Sequence, residues 1–154
     1  MTGKVFLVGA GPGDPSLITL RAVELIKKAD VVLYDRLVSK KILSMIPKKA
    51  ETVYVGRAVG DDYKHQNDTN DLMVKYAKIK RNIVRLKGGD PMIFGRGGEE
   101  AEYLKKHKIR FEIVPGITSG IGSATYAGIP LTHRKFASSV VFVTGHEDFE
   151  KNKD

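Results

Sequence analysis

Residues 84–100 read VRLKGGDPMIFGRGGEE, and the character of the whole chain turns on how this stretch folds. It begins as a strand (Ile83, Val84, Leu86) and breaks at Gly88-Gly89, where bare backbone can approach a ligand and take φ values that other residues avoid. Asp90-Pro91 then sets a carboxylate on a stiffened turn, and Phe94 precedes the glycine-flanked Arg96. Glu99 and Glu100 fall in the first turn of a helix, where carboxylates suit the dipole. One strand end thus offers open amides, a fixed acid and an arginine close together, which is where ligands sit in open α/β sheets. By itself Gly-Gly-Asp-Pro would be an ordinary turn. Its neighbours argue for more.

Upstream, VFLV at 5–8 is a continuous apolar run, the mark of a strand buried on both faces of a parallel sheet. It enters the rigid loop GAGPGDP at 9–15. Apolar spacing predicts a helix over 17–29, with Ser16 as candidate N-cap and Leu20, Val23 and Ile26 in the core. A second strand at 31–34 ends at Asp35; a short helix over 39–45 stops before Pro47, and a third strand follows at 52–55. Residues 56–67 are polar and read as a loop, and 69–80 as a helix. After the fourth strand at 83–86 come a helix over 99–107 and a fifth strand at 111–114. PGITS then leads into a small-residue helix over 120–128, with Thr118 or Ser119 capping it. Strands alternating with helices at this spacing give an α/β fold, a parallel five-stranded sheet with flanking helices.

Residues 139–144 (SVVFVT, with Ser139 first) form another buried-type strand, and a lone strand is not a domain. The expected organisation is an N-terminal α/β domain over 1–132. Residues 133–154 are then a linker and the first strand of a second α/β domain that the chain only begins.

The 154 residues contain no cysteine, which rules out disulfides and thiolate chemistry. No apolar run approaches the ~20 residues of a membrane span, so no membrane and a cytoplasmic location are expected. The net charge of +8 invites an anionic partner, yet the lysines are scattered and lack the basic-aromatic interleaving that tracks nucleic acid. A small anionic ligand, and no nucleic acid, is the expectation. His65, His107, His133 and His146 lack ligand spacing, so no metal is expected.

The loop at 9–14 resembles a dinucleotide fingerprint, and Asp35 supplies an acid where a ribose ligand would stand. The third glycine position falls on Asp14, however, and Pro12 removes an amide a pyrophosphate would use. The pattern is broken.

Four separated segments carry a different likeness: the opening VFLVGAGPGDPSLITLRAVELIKKADVVLYDRLV, then VRLKGGDPMIFGRGGEE, FEIVPGITSGIGSATYAGIPLTHR and the closing VTGH. Together, in this order, they resemble the tetrapyrrole methylase superfamily, and within it the uroporphyrinogen-III C-methyltransferase branch. The resemblance implies a two-domain enzyme, a homodimer, that uses S-adenosyl-L-methionine to methylate uroporphyrinogen III at two pyrrole carbons, giving precorrin-2 for sirohaem and cobalamin synthesis. The cofactor leaves as S-adenosyl-L-homocysteine. A related precorrin methyltransferase, or a non-catalytic tetrapyrrole-binding fragment, stands as the alternative.

By the same resemblance the cofactor contacts fall on Pro12, Gly88, Gly89, Asp90, Ile93, Thr118 and Ser119. Asp35, Arg96 and Glu99 are the catalytic candidates, and Arg96, Glu99 and Arg134 the substrate-binding ones. The family continues beyond TGH, and that further part supplies more cofactor contacts and one wall of the cleft. The sulfonium methyl is already activated and the pyrrole carbon is electron-rich, so alignment is the main task, worth up to ~10⁵–10⁸ M in effective molarity. A base must also take a proton from the macrocycle. Asp35, Glu99 and Arg96 all remain open for that role.

Overall fold

The computed structural model describes residues 3–56, 64–79 and 81–145, with backbone only for 64–67. Five strands, β1 (Lys4–Gly9), β2 (Val31–Tyr34), β3 (Glu51–Tyr54), β4 (Asn82–Lys87) and β5 (Arg110–Val114), form one sheet in the order β3-β2-β4-β1-β5. Every pairing is parallel, with Val5 opposite Ile83 and Phe111, and Val31 opposite Ile83 and Glu51. The helices are α1 (Leu20–Lys28), α2 (Lys40–Leu43), α3 (Lys64–Lys78), α4 (Gly97–Lys106) and α5 (Ser119–Tyr126). The expected parallel five-stranded α/β fold is the one observed.

Strand periodicity sorts the apolar side chains into two cores. Phe6, Val8, Val32, Val84 and Leu86 face one way, under Ala22, Leu25 and Ile26 of α1 and Ile42 of α2. Val5, Leu7, Val31, Leu33 and Ile83 face the other way, under Met73, Val74 and Ala77 of α3 and Leu104 of α4. Helices on both faces explain why β1 and β2 are apolar almost without interruption.

The chain departs from its sequence pattern at the first helix. Asp14 accepts hydrogen bonds from the amide and hydroxyl of Ser16, which winds Pro15–Leu17 into a 3-10 turn instead of the helix start. The helix begins a turn later, with the Thr19 hydroxyl accepting from the Ala22 amide. Thr19, not Ser16, is its N-cap. The buried stripe becomes Ala22, Leu25, Ile26 and Ala29, so Leu20, expected in the core, is 89% exposed. Thr19→Ala should lower stability by about 1 kcal/mol, read from the midpoint of urea unfolding.

Helix α3 begins at Lys64, inside the stretch expected to be loop, and residues 57–63 lie outside the described residues. Helix α4 begins at Gly97, two residues earlier than expected, with Arg96 in a left-handed conformation at its N-cap.

By contact density the chain divides into two compact units, 1–119 and 120–154. In the second unit residues 139–144 have no regular secondary structure and join no β-ladder among the described residues, in contrast to the strand expected there. The alternation survives: Val141 and Val143 are about four-fifths exposed, while Val140 and Phe142 are roughly half as exposed. The Phe142 ring lies over Gly120, where an added Cβ would come within 2.8 Å of it. A helix surface has taken part of the role that a neighbouring strand would play.

Candidate active site

Three loops meet at the carboxyl ends of β1, β4 and β5, and they meet through backbone. The amides and carbonyls of Gly11 and Gly89 exchange hydrogen bonds at 3.0 and 2.8 Å, and Gly89 has φ of +66°, which a side chain would strain. Gly116 packs so closely on both neighbouring loops that a Cβ on it would stand 2.2 Å from the Gly89 carbonyl oxygen and 2.9 Å from the Gly9 backbone. Asp90 ties the junction together. One carboxylate oxygen accepts from the Met92 amide at 2.8 Å and the other from the Gly116 amide at 3.0 Å.

Above this junction, within the first unit, opens a cavity of about 500 Å³. Of the residues singled out in the sequence, Pro12, Asp35, Gly88, Gly89, Asp90, Ile93, Arg96, Thr118 and Ser119 line it. Asp35 stands at the end of β2, with its Oδ1 accepting from the Leu37 amide at 3.0 Å. Arg96 reaches back to Glu99 as a bidentate pair, Nε to Oε1 at 2.9 Å and a terminal nitrogen to Oε2 at 2.5 Å. Glu99 therefore supports the arginine from outside the lining. Arg134 lies in the second unit, exposed, in the turn that His133 and Ala137 close.

The segment after Asp90 is a closed lip. The Gly97 amide donates to the Pro91 carbonyl at 2.9 Å, and Phe94 and Arg96 both adopt left-handed backbone, at φ of 50° and 56°. Met92, Ile93 and Phe94 are thereby left exposed, the last two at the cavity.

The sequence reading missed the most unusual feature. Arg85 and Lys87 alternate with Leu86 on β4, so both point to the face covered by α3 and α4, and both line the cavity. Each is about 95% buried. Arg85 Nε and Lys87 Nζ both donate to Oε1 of Glu100, at 3.0 Å each, and Arg85 also lies 3.7 Å from Asp35. Glu100, expected at a helix terminus as an acid serving the dipole, is wholly buried. Burial, followed by the charge of Arg85, holds the Lys87 amine below its ordinary range, against the pull of Glu100. The available signal was the period-two placement of two cations in a strand flanked by apolar runs, with an acid one helical turn into the next element.

Among the described residues no cluster of His, Asp and Glu could hold a metal ion, and no helix is long and apolar enough to cross a membrane.

The sequence profile of the tetrapyrrole (corrin/porphyrin) methylases matches residues 4–154. The uroporphyrinogen-III C-methyltransferase of Bacillus subtilis is 56% identical over 153 residues, which are 97% of this chain and 60% of that protein. The siroheme synthase of Nitrosomonas europaea is 58% identical over 145 residues, 94% of this chain and 30% of that one. The chain thus spans about three fifths or less of the length of these relatives. In structure it resembles the uroporphyrin-III C-methyltransferase of Thermus thermophilus complexed with S-adenosyl homocysteine. The TM-score is 0.75 and the identity 50%, over 89% of this chain and 57% of that one. A cobalt precorrin-4 methyltransferase superposes with a TM-score of 0.78 at 33% identity, over 90% of this chain and 56% of its own. With a profile that runs through all but its first three residues, this chain belongs to the tetrapyrrole methylases.

Proposed function

We propose that this chain takes part in the S-adenosylmethionine-dependent methylation of uroporphyrinogen III at two pyrrole carbons, giving precorrin-2 for sirohaem and cobalamin synthesis. One observation carries the reading: a glycine-floored cavity at the sheet's carboxyl edge, in a chain 50% identical to an enzyme complexed with S-adenosyl homocysteine. The residues present suit that group. About 500 Å³ lies within the usual range for small-molecule sites. Gly88 and Gly89 keep the floor free of side chains, and a Cβ on Gly88 would already crowd Leu37 at 2.6 Å. Pro12, Gly88, Gly89, Asp90, Ile93, Thr118 and Ser119 would hold the cofactor, which supplies an activated methyl group.

The rest falls to the side chains around it. Asp35, oriented by the Leu37 amide, is the acceptor for the proton the macrocycle gives up. Arg96 answers the carboxylates that uroporphyrinogen carries on its side arms, and Glu99 fixes the angle of its fork; for Arg134 a substrate-binding role rests on the family resemblance alone. Ile93 and Phe94 give the apolar lip that keeps water from the reacting carbon. The chain works as a homodimer in the cytoplasm.

The fold by itself suits a precorrin methyltransferase equally well; the higher identity to the Bacillus and Thermus enzymes favours uroporphyrinogen III. Incubation with methyl-labelled cofactor and uroporphyrinogen III decides between them. A product heavier by two methyl groups supports the proposal. No transfer overturns it, and methylation of a precorrin alone would move the assignment to the second reading.

Arg96→Ala should lower turnover with the tetrapyrrole roughly ten- to a hundredfold, the worth of a hydrogen bond to a charged group, while cofactor affinity changes little. Titration calorimetry beside steady-state kinetics checks this. Equal losses in both would place Arg96 with the cofactor instead.

A further inference from the structure

Arg85 and Lys87 set two positive charges in the wall of a cavity that, on the functional reading above, receives a sulfonium cation. Like charges that share a poorly hydrated site repel over many ångströms, so the two cations work against such a ligand. Two carboxylates offset them. Asp35 faces Arg85 from the cavity side at 3.7 Å, and Glu100 receives both cations from behind at 3.0 Å. Glu100 is fully buried and absent from the lining, so its influence on a ligand passes through Arg85 and Lys87 and through its charge.

We infer that Glu100 is a specificity-determining residue: by neutralising the cationic wall formed by Arg85 and Lys87, it sets how strongly the cavity prefers a sulfonium methyl donor to the uncharged thioether left after transfer. The two ligands differ by one methyl group and one positive charge, so their affinity ratio reports the charge of the wall. A purely architectural role for Glu100 would weaken both ligands together. The chemistry of turnover gives the ratio a purpose, because a wall left too positive would retain the product and reject the donor. The lowered proton affinity of the Lys87 amine shows the same balance, with burial and the charge of Arg85 outweighing the pull of Glu100.

The test measures the dissociation constants of S-adenosylmethionine and S-adenosylhomocysteine by calorimetry, at low salt, for the unsubstituted protein, Glu100→Gln and Lys87→Met. Glu100→Gln keeps the shape and removes the charge. It should raise the donor-to-product ratio of dissociation constants about tenfold, and Lys87→Met should lower the ratio. An unchanged ratio in Glu100→Gln, or equal weakening of both ligands, overturns the inference. Should Glu100→Gln fail to fold, Lys87→Met decides alone, and an unchanged ratio there overturns it. Binding of neither ligand by the unsubstituted protein would instead strike the functional reading and take this inference with it.

Discussion

Glu100→Ala is expected to cost about 3–5 kcal/mol of folding stability, the usual penalty for stripping a partner from a buried ion cluster. Arg85 and Lys87 would be left side by side, each about 95% buried, with Asp35, 3.7 Å from Arg85, left to balance them. A domain of this size holds about 5–15 kcal/mol in all, so the variant should sit near the edge of folding. Urea unfolding followed by circular dichroism reads the loss; a change below about 1 kcal/mol would mean that the cluster relaxes into water once opened. The pH dependence has a defined sign. Lys87 already holds its proton less tightly in the folded chain than the ordinary lysine value of 10.5. The folded state therefore binds fewer protons than the unfolded state between that lowered value and 10.5, and stability rises with pH across that window. Without Glu100, which pulls in the opposite direction, the window should widen downward and the alkaline recovery of the variant should be the larger. Replacing Arg85, Lys87 and Glu100 together by apolar residues of similar size should cost far less than Glu100→Ala, because the desolvation of the charges disappears with them.

Gly116→Ala should be as damaging, for a reason that has nothing to do with charge. Its Cβ would stand 2.2 Å from the Gly89 carbonyl and 2.9 Å from the Gly9 backbone, atoms fixed by the strand ends themselves. No rotamer relieves a clash with backbone, so the loops of β1, β4 and β5 must part, breaking the hydrogen bond that the Gly116 amide donates to the Asp90 carboxylate. A loss of about 3 kcal/mol or more is expected, at the upper end of overpacking costs, together with weakened ligand binding. A variant with unchanged unfolding midpoint and cofactor affinity would show that the junction yields more easily than its contacts imply.

The sheet was legible because VFLV and VVLY can be little else than strands covered on both faces, and the helices followed from their spacing. The site was legible in part, since Gly88-Gly89 and Asp90 announce a loop at a strand end. What stayed hidden was burial. Glu99 and Glu100 are identical neighbours in the sequence, yet one turns outward to Arg96 and the other inward to Arg85 and Lys87. Only the placement of α4 against the sheet separates them. Leu20 escaped for a similar reason: Asp14 won the competition for the Ser16 amide, and the delayed helix start rotated the apolar stripe away from Leu20. Asp90, named by the resemblance as a cofactor contact, also holds two backbone amides, and no spacing rule foretells that arrangement.

The lip over residues 91–97 bears on the thermodynamics of capture. Two side-chain-bearing residues held at positive φ each cost on the order of 1–3 kcal/mol, a conformation that persists only where the surroundings overdetermine it. Here the Gly97 amide on the Pro91 carbonyl and the Arg96–Glu99 fork do so. The lip is therefore shaped before any ligand arrives, and Phe94 is presented, not recruited. Association against such a surface gives up little chain entropy, so its heat should reflect contact and desolvation with no folding component.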